Sequence, residues 1–381
     1  MTAARVRFAW NPFRRPTLPP EEDTPAAEEV RAFHGSLPGY APTPLVALPG
    51  LAAELGLGEV WLKDESRRFG LNAFKALGAA YAVQRVLREG GVSTVATATA
   101  GNHGRAVAWA ARVAGKRAVV FVPAHTVPAR IEIIRLEGAD VVVVDGTYDD
   151  AVRRAAEESA RRGWQVVSDT AYPGYAVIPR WIMAGYGTLF AEMTEQLQAR
   201  GRPEPDVVFL QAGVGGLACA GTRYYLGGDR DRRPRLPPRL VVVEPTEAAC
   251  LLESIVSSDG EMRVARGSQR TIMAGLNAAT PSPAAWPSIR AGIDLFLAVA
   301  DTLAEDAMRR LHRGSGGDAR VVAGETGAAG LAGLLALCRE PGLTEARSAL
   351  GLGPEAAVLL ISTEGATDPA SYRKIVGAEP R

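Results

Sequence analysis

Six short runs rich in β-branched residues punctuate this chain, and alanine-rich segments with helical spacing lie between them. The runs are VSTVATAT (92–99), RAVVFVP (117–123), DVVVVDG (140–146), DVVFLQAG (206–213), RLVVVEP (239–245) and AVLLIST (357–363). Most lack apolar–polar alternation, which is the pattern of strands buried on both faces. Segments such as GRAVAWAARVAG and YDDAVRRAAEESARRG supply helices to cover them. Strand–helix–strand order of this kind demands parallel sheets joined by crossover helices. The predicted class is therefore α/β. Over 381 residues, the number of such units predicts two parallel-sheet α/β domains with a cleft between them, not a single sheet. The boundaries read as a large domain made of 1–78 and 186–381, with a smaller α/β domain, 79–185, inserted into it. Residues 1–35, rich in Pro, Glu and Arg, are expected to wrap the surface, and the polar stretches 227–238 and 339–356 to form surface loops.

Charge and cysteine usage narrow the function classes. Lysine and arginine total 43 against 42 acidic residues, for a net charge of +1. A polyanion binder needs a concentrated basic surface, so no nucleic-acid partner is expected. Three cysteines stand far apart with no CxxC, and the four histidines form no HExxH, so neither a disulfide framework nor a metal site is expected. No apolar stretch reaches membrane-spanning length, and the N-terminal residues lack the apolar segment of a signal peptide. These features predict a cytoplasmic enzyme or small-molecule binder with no membrane partner.

Four stretches carry chemistry. LQAGVGGLACAG (210–221) follows a buried strand and opens a helix. Gly213, Val214, Gly215, Gly216 and Leu217 can form a tight turn whose free N–H groups cradle a phosphate. The stretch lacks GK[ST] and the full dinucleotide spacing, and by itself an ordinary strand–helix turn explains it as well. TATAGNHG (97–104) repeats the strand-to-helix geometry. Its small residues let the backbone at Thr99, Ala100, Gly101 and His103 approach a carboxylate, and Asn102 can reach a ring hydroxyl; a plain N-cap is the bland alternative. Lys75, in GLNAFKALGA (70–79), sits where a lysine can be desolvated, which favours the neutral amine that imine formation requires. STEGATDP (362–369) ends a strand with Ser362 and Thr363, hydroxyls at the carboxyl end of a parallel sheet, where ligands bind. Each signal is weak alone. Together they supply an amine for an imine, a phosphate cup, a carboxylate loop and a hydroxyl, the needs of pyridoxal phosphate bound to an amino acid.

At these motifs the chain resembles the pyridoxal-phosphate enzymes of the tryptophan-synthase-β family (fold type II), and within it the diaminopropionate ammonia-lyases. WLKDESRRFGLNAFK resembles the family's lysine motif, TATAGNHG its asparagine loop and AGVGG its phosphate loop. YAPTPLVALPGLAAELGLGEVWLKDES (40–66), SDTAYPGYAVIPRWIMAGYGTL (168–189), TIMAGL (271–276) and GETGAAGL (324–331) extend the likeness over nearly the whole chain beyond about residue 30. The resemblance implies the cofactor in the cleft between the domains and Lys75 as the Schiff-base lysine. It implies Gly213–Leu217 on the phosphate, Asn102 on the cofactor's 3-hydroxyl, and Ser362 or Thr363 facing the pyridine nitrogen. It further implies that Asp169 is an acid near the substrate, and that the protein is a homodimer acting on a small amino acid.

One departure bears on substrate choice. The lyases of this type read T-D-G-N-H-G, with an aspartate that is thought to take the α-proton of the D-isomer. Position 100 here is alanine. A second departure is GLNAATPSP (275–283), where the lyases usually carry a Cys-Gly-Glu-Pro segment. The expected activity is elimination of ammonia from L-2,3-diaminopropionate to give pyruvate. The alternatives are dehydration or β-replacement of another β-substituted amino acid (serine, threonine, a hydroxyaspartate or a specialised substrate), and a non-catalytic binder of the cofactor or an amino acid.

Overall fold

A computed structural model describes residues 5–21, 24–202, 204–227 and 236–380. Most of the polar stretch 227–238 therefore lies outside the described residues. The strands in chain order are β1 (Val6–Trp10), β2 (Leu45–Ala47), β3 (Glu59–Asp64), β4 (Thr94–Ala98), β5 (Arg117–Pro123) and β6 (Asp140–Val144). They continue with β7 (Gln165–Val166), β8 (Val207–Gln211), β9 (Arg239–Pro245), β10 (Leu295–Val299) and β11 (Ala357–Ser362). The chain divides into two compact units: Met1–Pro20 with Pro42–Asn72 and Leu189–Arg381, and Glu21–Ala41 with Ala73–Thr188.

The larger unit holds a seven-stranded sheet in the order β1-β10-β9-β8-β11-β3-β2. Its five central strands are parallel, and β1 and β2 pair antiparallel at the edges. Strands β8, β10 and β11 are buried at every residue, as the unbroken apolar runs at β8 and β11 predict. The helix Ala329–Arg339, AGLAGLLALCR, packs within the same core, and its small residues let it lie close to β9 and β10. The N-terminal residues differ from the surface-wrapping expectation. Val6–Trp10 forms an edge strand whose Val6 pairs with Val299 and whose Trp10 pairs with Leu295.

Beneath that sheet lies a polar cluster with almost no solvent access. Lys63 on β3 donates to Glu192 Oε2 at 2.7 Å, to the Thr43 carbonyl at 2.7 Å and to Gln196 Oε1 at 2.9 Å. Arg68 donates to both carboxyl oxygens of Glu65 and both of Glu192, at 2.7–2.8 Å. Side-chain exposure of all four charged residues is 1% or less. Two cations and two anions cancel, and this mutual pairing is what makes their burial tolerable.

The smaller unit holds an all-parallel sheet in the order β6-β5-β4-β7. Its core joins Ala96, Val119 and Phe121 to Ala151 and Ala155 of the helix Tyr148–Arg162. Thr147 and Asp150 close that helix's N-terminus as a reciprocal capping box. Strand β6 departs from the expectation of two-sided burial. It lies at the sheet edge, and Val142 and Val143 are exposed. Residues 21–41 join this unit through His34, which donates from Nε2 to the Leu77 carbonyl at 2.9 Å and accepts at Nδ1 from Thr188 Oγ1 at 2.7 Å. Among the described residues no helix is long and apolar enough to cross a membrane, and no group of His, Cys, Asp or Glu could hold a metal ion.

Candidate active site

The predicted residues assemble in two sets, one in each unit. In the smaller unit, β4 ends at Ala98 and the helix Asn102–Val113 begins four residues later. Gly101 precedes that helix in an extended conformation with no side-chain cap, a helix start of the kind that suits an anion. The Gly101 N–H donates to Thr99 Oγ1 at 3.2 Å, which fixes the bend of the loop. His103 is buried, and its Nε2 donates to the Val167 carbonyl at 3.0 Å. That bond leaves Nδ1 as an acceptor. It lies 3.9 Å from Asp169 Oδ2 and has no hydrogen-bond partner among the described residues.

Lys75 opens the helix Lys75–Arg88, and its Nζ donates to Asp169 Oδ2 at 2.7 Å. The ammonium also lies 5.3 Å from the Phe74 ring centroid and 5.8 Å from that of Tyr186. Burial alone would lower the lysine's proton affinity, as the sequence reading expects, but the Asp169 charge outweighs burial and raises it above the ordinary lysine range. Burial likewise pushes Asp169 up, and the Lys75 charge, bonded to it directly, more than reverses this and holds the carboxyl well below its usual range. Burial also keeps His103 below the ordinary imidazole value. The amine is thus charged in this state, and its neutral form requires that the Asp169 pairing be released.

In the larger unit, β8 runs into the helix Gly216–Leu226 through Gly213, Val214 and Gly215. Gly215 has φ +100°, and a Cβ there would sit 2.5 Å from Ile289 Cδ1, so the turn admits only glycine. This helix also starts without a side-chain cap. The departing segment 275–283 packs on this turn: Ser282 N–H donates to the Val214 carbonyl at 2.8 Å, and a Cβ on Gly213 would lie 3.1 Å from Leu276 Cα. Both Ser362 and Thr363 are buried at the end of β11, the neighbour of β8. Ser362 Oγ donates to the Glu364 carbonyl at 3.3 Å, whereas Thr363 Oγ1 accepts from Gln211 Nε2 at 3.2 Å and keeps its own proton to donate.

Three residues at these sites escape a motif reading. Gln211 ties β8 to β11, donating to the Ile361 carbonyl at 2.7 Å. Tyr186 stands beside Lys75; its mark in the sequence is Gly-Tyr-Gly inside a helix, where paired glycines signal a close backbone approach. Glu244, at the end of β9, carries no local mark. Its carboxyl oxygens accept the N–H groups of Leu251 and Leu252 at 2.8 Å each, and Cys250 beside them donates from Sγ to the Gly213 carbonyl at 3.6 Å.

Burial pushes Glu244 up to about 8, against the pull of those two N–H groups. The folded state then keeps a proton that the unfolded chain releases in the ordinary carboxylate range. The stabilisation from this proton is complete below that range and is lost as the pH rises toward about 8. One proton changes stability by at most about 1.4 kcal/mol per pH unit. Thermal unfolding of the wild type and of Glu244→Gln over a pH series is expected to show the wild type losing ground steadily as pH rises through that window. A difference that does not change with pH would mean that Glu244 stays ionised.

Comparison with known proteins places these loops in context. The profile of the family described as pyridoxal-phosphate dependent enzyme matches residues 37–362. Diaminopropionate ammonia-lyase from Escherichia coli strain K12 is 40% identical over 390 residues, covering 98% of this chain and 96% of the relative. Its counterpart from Salmonella typhimurium is 42% identical over 371 residues, covering 91% of each. The crystal structure of the holo Escherichia coli enzyme, with selenomethionine incorporated, matches with a TM-score of 0.88 at 38% identity, covering 97% of this chain and 96% of that one.

Proposed function

The chain belongs to the pyridoxal-phosphate dependent enzymes, and from that premise we propose that it is an ammonia-lyase performing α,β-elimination on 2,3-diaminopropionate, with the L-isomer as its substrate. The products are pyruvate and two molecules of ammonia. The observation that carries the reading is the Lys75–Asp169 pair at 2.7 Å beside an uncapped asparagine loop, in a chain similar to diaminopropionate ammonia-lyases along nearly its full length.

The residues present fit the cofactor. The glycine-only turn at Gly215 and the uncapped helix start after it suit a phosphate. Gly213, Val214, Gly215, Gly216 and Leu217 would hold that group, Asn102 the ring hydroxyl and Lys75 the aldehyde carbon. Thr363, whose hydroxyl proton is not committed, would donate to the ring nitrogen in preference to Ser362. Pyridoxal phosphate, when bound, supplies a carbonyl that takes up the substrate's α-amine and a ring that draws electron density from Cα.

The protein supplies the rest. Backbone N–H groups from Thr99 to His103 would receive the substrate carboxylate. Lys75, once neutral, or Asp169 takes the α-proton. A departing β-amine needs a proton, and Asp169 is the carboxyl placed to return it. Its low proton affinity in this state depends on the Lys75 charge. When that lysine is neutral, burial becomes the larger influence and lifts Asp169 toward the range in which a carboxyl protonates an amine. Ala100 leaves no carboxylate in the asparagine loop, which supports preference for the L-isomer. The same alanine favours a second reading, dehydration or β-replacement of another β-substituted amino acid. We further expect a homodimer acting in the cytoplasm; the three cysteines, none of them in a disulfide, suit a reducing compartment.

The deciding experiment is release of 2-oxo acid from L- and D-diaminopropionate, L-serine and L-threonine by protein supplied with pyridoxal phosphate. Turnover of the L-isomer with little of the D-isomer is expected, and Asp169→Asn should lower it by roughly 10²- to 10⁴-fold. No turnover of either isomer would overturn the reading, and turnover of a hydroxy amino acid in its place would establish the second. Full activity of Asp169→Asn on the L-isomer would remove that residue from its role.

A further inference from the structure

Lys75 has a neighbour that the mechanism above does not use. Tyr186 lies on the helix Val177–Gln198, with its ring 4.6 Å from that of Phe74 between centroids. A close helix crossing puts it there. A Cβ on Gly78 would stand 2.5 Å from Tyr186 Cε1, and one on Gly185 would stand 2.7 Å from Gly78 Cα. Each interior glycine weakens a helix relative to alanine. The ring is 1% exposed, and its hydroxyl makes no well-formed hydrogen bond among the described residues; the Lys75 amine is near enough to interact with it. A buried hydroxyl without a well-formed bond is a further burden on the fold. Two separate expenses thus converge on holding one phenol beside one amine.

We infer that Tyr186 is a further catalytic residue: its hydroxyl holds the Lys75 amine in both protonation states, accepting from the ammonium and donating to the neutral amine. The inference rests on the reading of Lys75 as the reactive amine. A phenol is both donor and acceptor, whereas a carboxylate only accepts. When Asp169 is engaged with a departing group, Asp169 no longer orients the lysine, and the phenol still does. In the proton-transfer step, the C–H bond at Cα breaks, its proton goes to the Nζ lone pair, and the electron pair stays on the substrate carbon. The hydroxyl rotates from donor to acceptor as Nζ gains that proton, so no other atom changes place.

The groups facing the amine are Asp169 and Tyr186; His103 faces Asp169, and Tyr148 and Tyr175 also lie within reach of the Asp169 charge. Burial pushes Tyr186 up to about 12, against the nearby Lys75 charge, so it stays a neutral phenol.

Tyr186→Phe tests this, because it keeps the ring and deletes only the hydroxyl. Before cofactor is added, the full-length protein is labelled across a pH series with acetic anhydride, and the Lys75 peptide is quantified by mass. The labelling midpoint of Lys75 is expected to move to lower pH in the variant, since the ammonium loses an acceptor. With cofactor added, kcat should fall by about 10- to 100-fold with KM little changed, the loss of one hydrogen bond to a charged group. The variant's unfolding midpoint should stay close to that of the wild type, because only a loosely formed bond is lost. An unmoved labelling midpoint together with unchanged kcat in folded protein overturns the inference and leaves the proposed function standing. If the wild type eliminates neither diaminopropionate isomer, the functional reading fails by itself, and the labelling midpoint still judges the hold of Tyr186 on Lys75.

Discussion

Lys75→Ala is expected to lower turnover of L-diaminopropionate by on the order of 10⁴-fold or more, since no other group in the site can replace a covalent amine. The fold should hardly register the change. The Lys75–Asp169 pair keeps 21% and 25% of its side-chain surface exposed, so an Asp169 left alone still reaches water and the stability loss should stay well below the roughly 3–5 kcal/mol of a fully enclosed pair. A large loss of rate with a small loss of stability separates a chemical role from a structural one. Borohydride reduction gives an independent readout: the wild type should retain cofactor on the peptide carrying Lys75, and the variant should not. Wild-type turnover by Lys75→Ala would refute the assignment outright.

Glu192→Ala is expected to have the opposite profile, with a cost of about 3–5 kcal/mol in stability. Glu192 accepts from Lys63 at 2.7 Å and from Arg68 at 2.7 and 2.8 Å. Its removal leaves Glu65 facing two buried cations. Natural domains are stable by roughly 5–15 kcal/mol, so such a loss is a large share of the whole. Urea unfolding should show the midpoint of the first transition falling steeply, or little folded protein should be recovered. Glu192→Gln, which keeps the shape and part of the acceptor set, should fall between the two. A loss under about 1 kcal/mol for Glu192→Ala would mean that Lys63 and Arg68 reach water in the native state.

The contrast between these residues explains how much could be read from the chain in advance. The apolar runs at β4, β5, β8, β9 and β11 announce themselves, because strands covered on both faces need no polar residues. Strand β3, EVWLKD, does not, because Lys63 looks like a surface residue until Glu192, 129 positions later, is brought to it. Strand β10, LFLAV, has side chains that serve a helix equally well. The valines of β6 resemble those of β5, and only sheet order makes one an edge and the other central. At the site, Lys75, Asn102 and the glycine turn stand out through local spacing. The charge state of Lys75 does not, since it is set by Asp169, 94 residues away. Tyr186 is marked only by its flanking glycines, and Glu244 is defined wholly by what surrounds it in space, to which a one-dimensional reading has no access.

The four-charge cluster also limits how this protein can change over generations. Any single neutral replacement of Lys63, Glu65, Arg68 or Glu192 strands an opposite charge with almost no access to water. A lineage therefore cannot leave the arrangement one substitution at a time without passing through a poorly folded ancestor. Departure requires paired exchanges, each removing a cation together with its anion. Descendants should then carry either the complete set or an apolar replacement of matched volume, with few half-converted forms between.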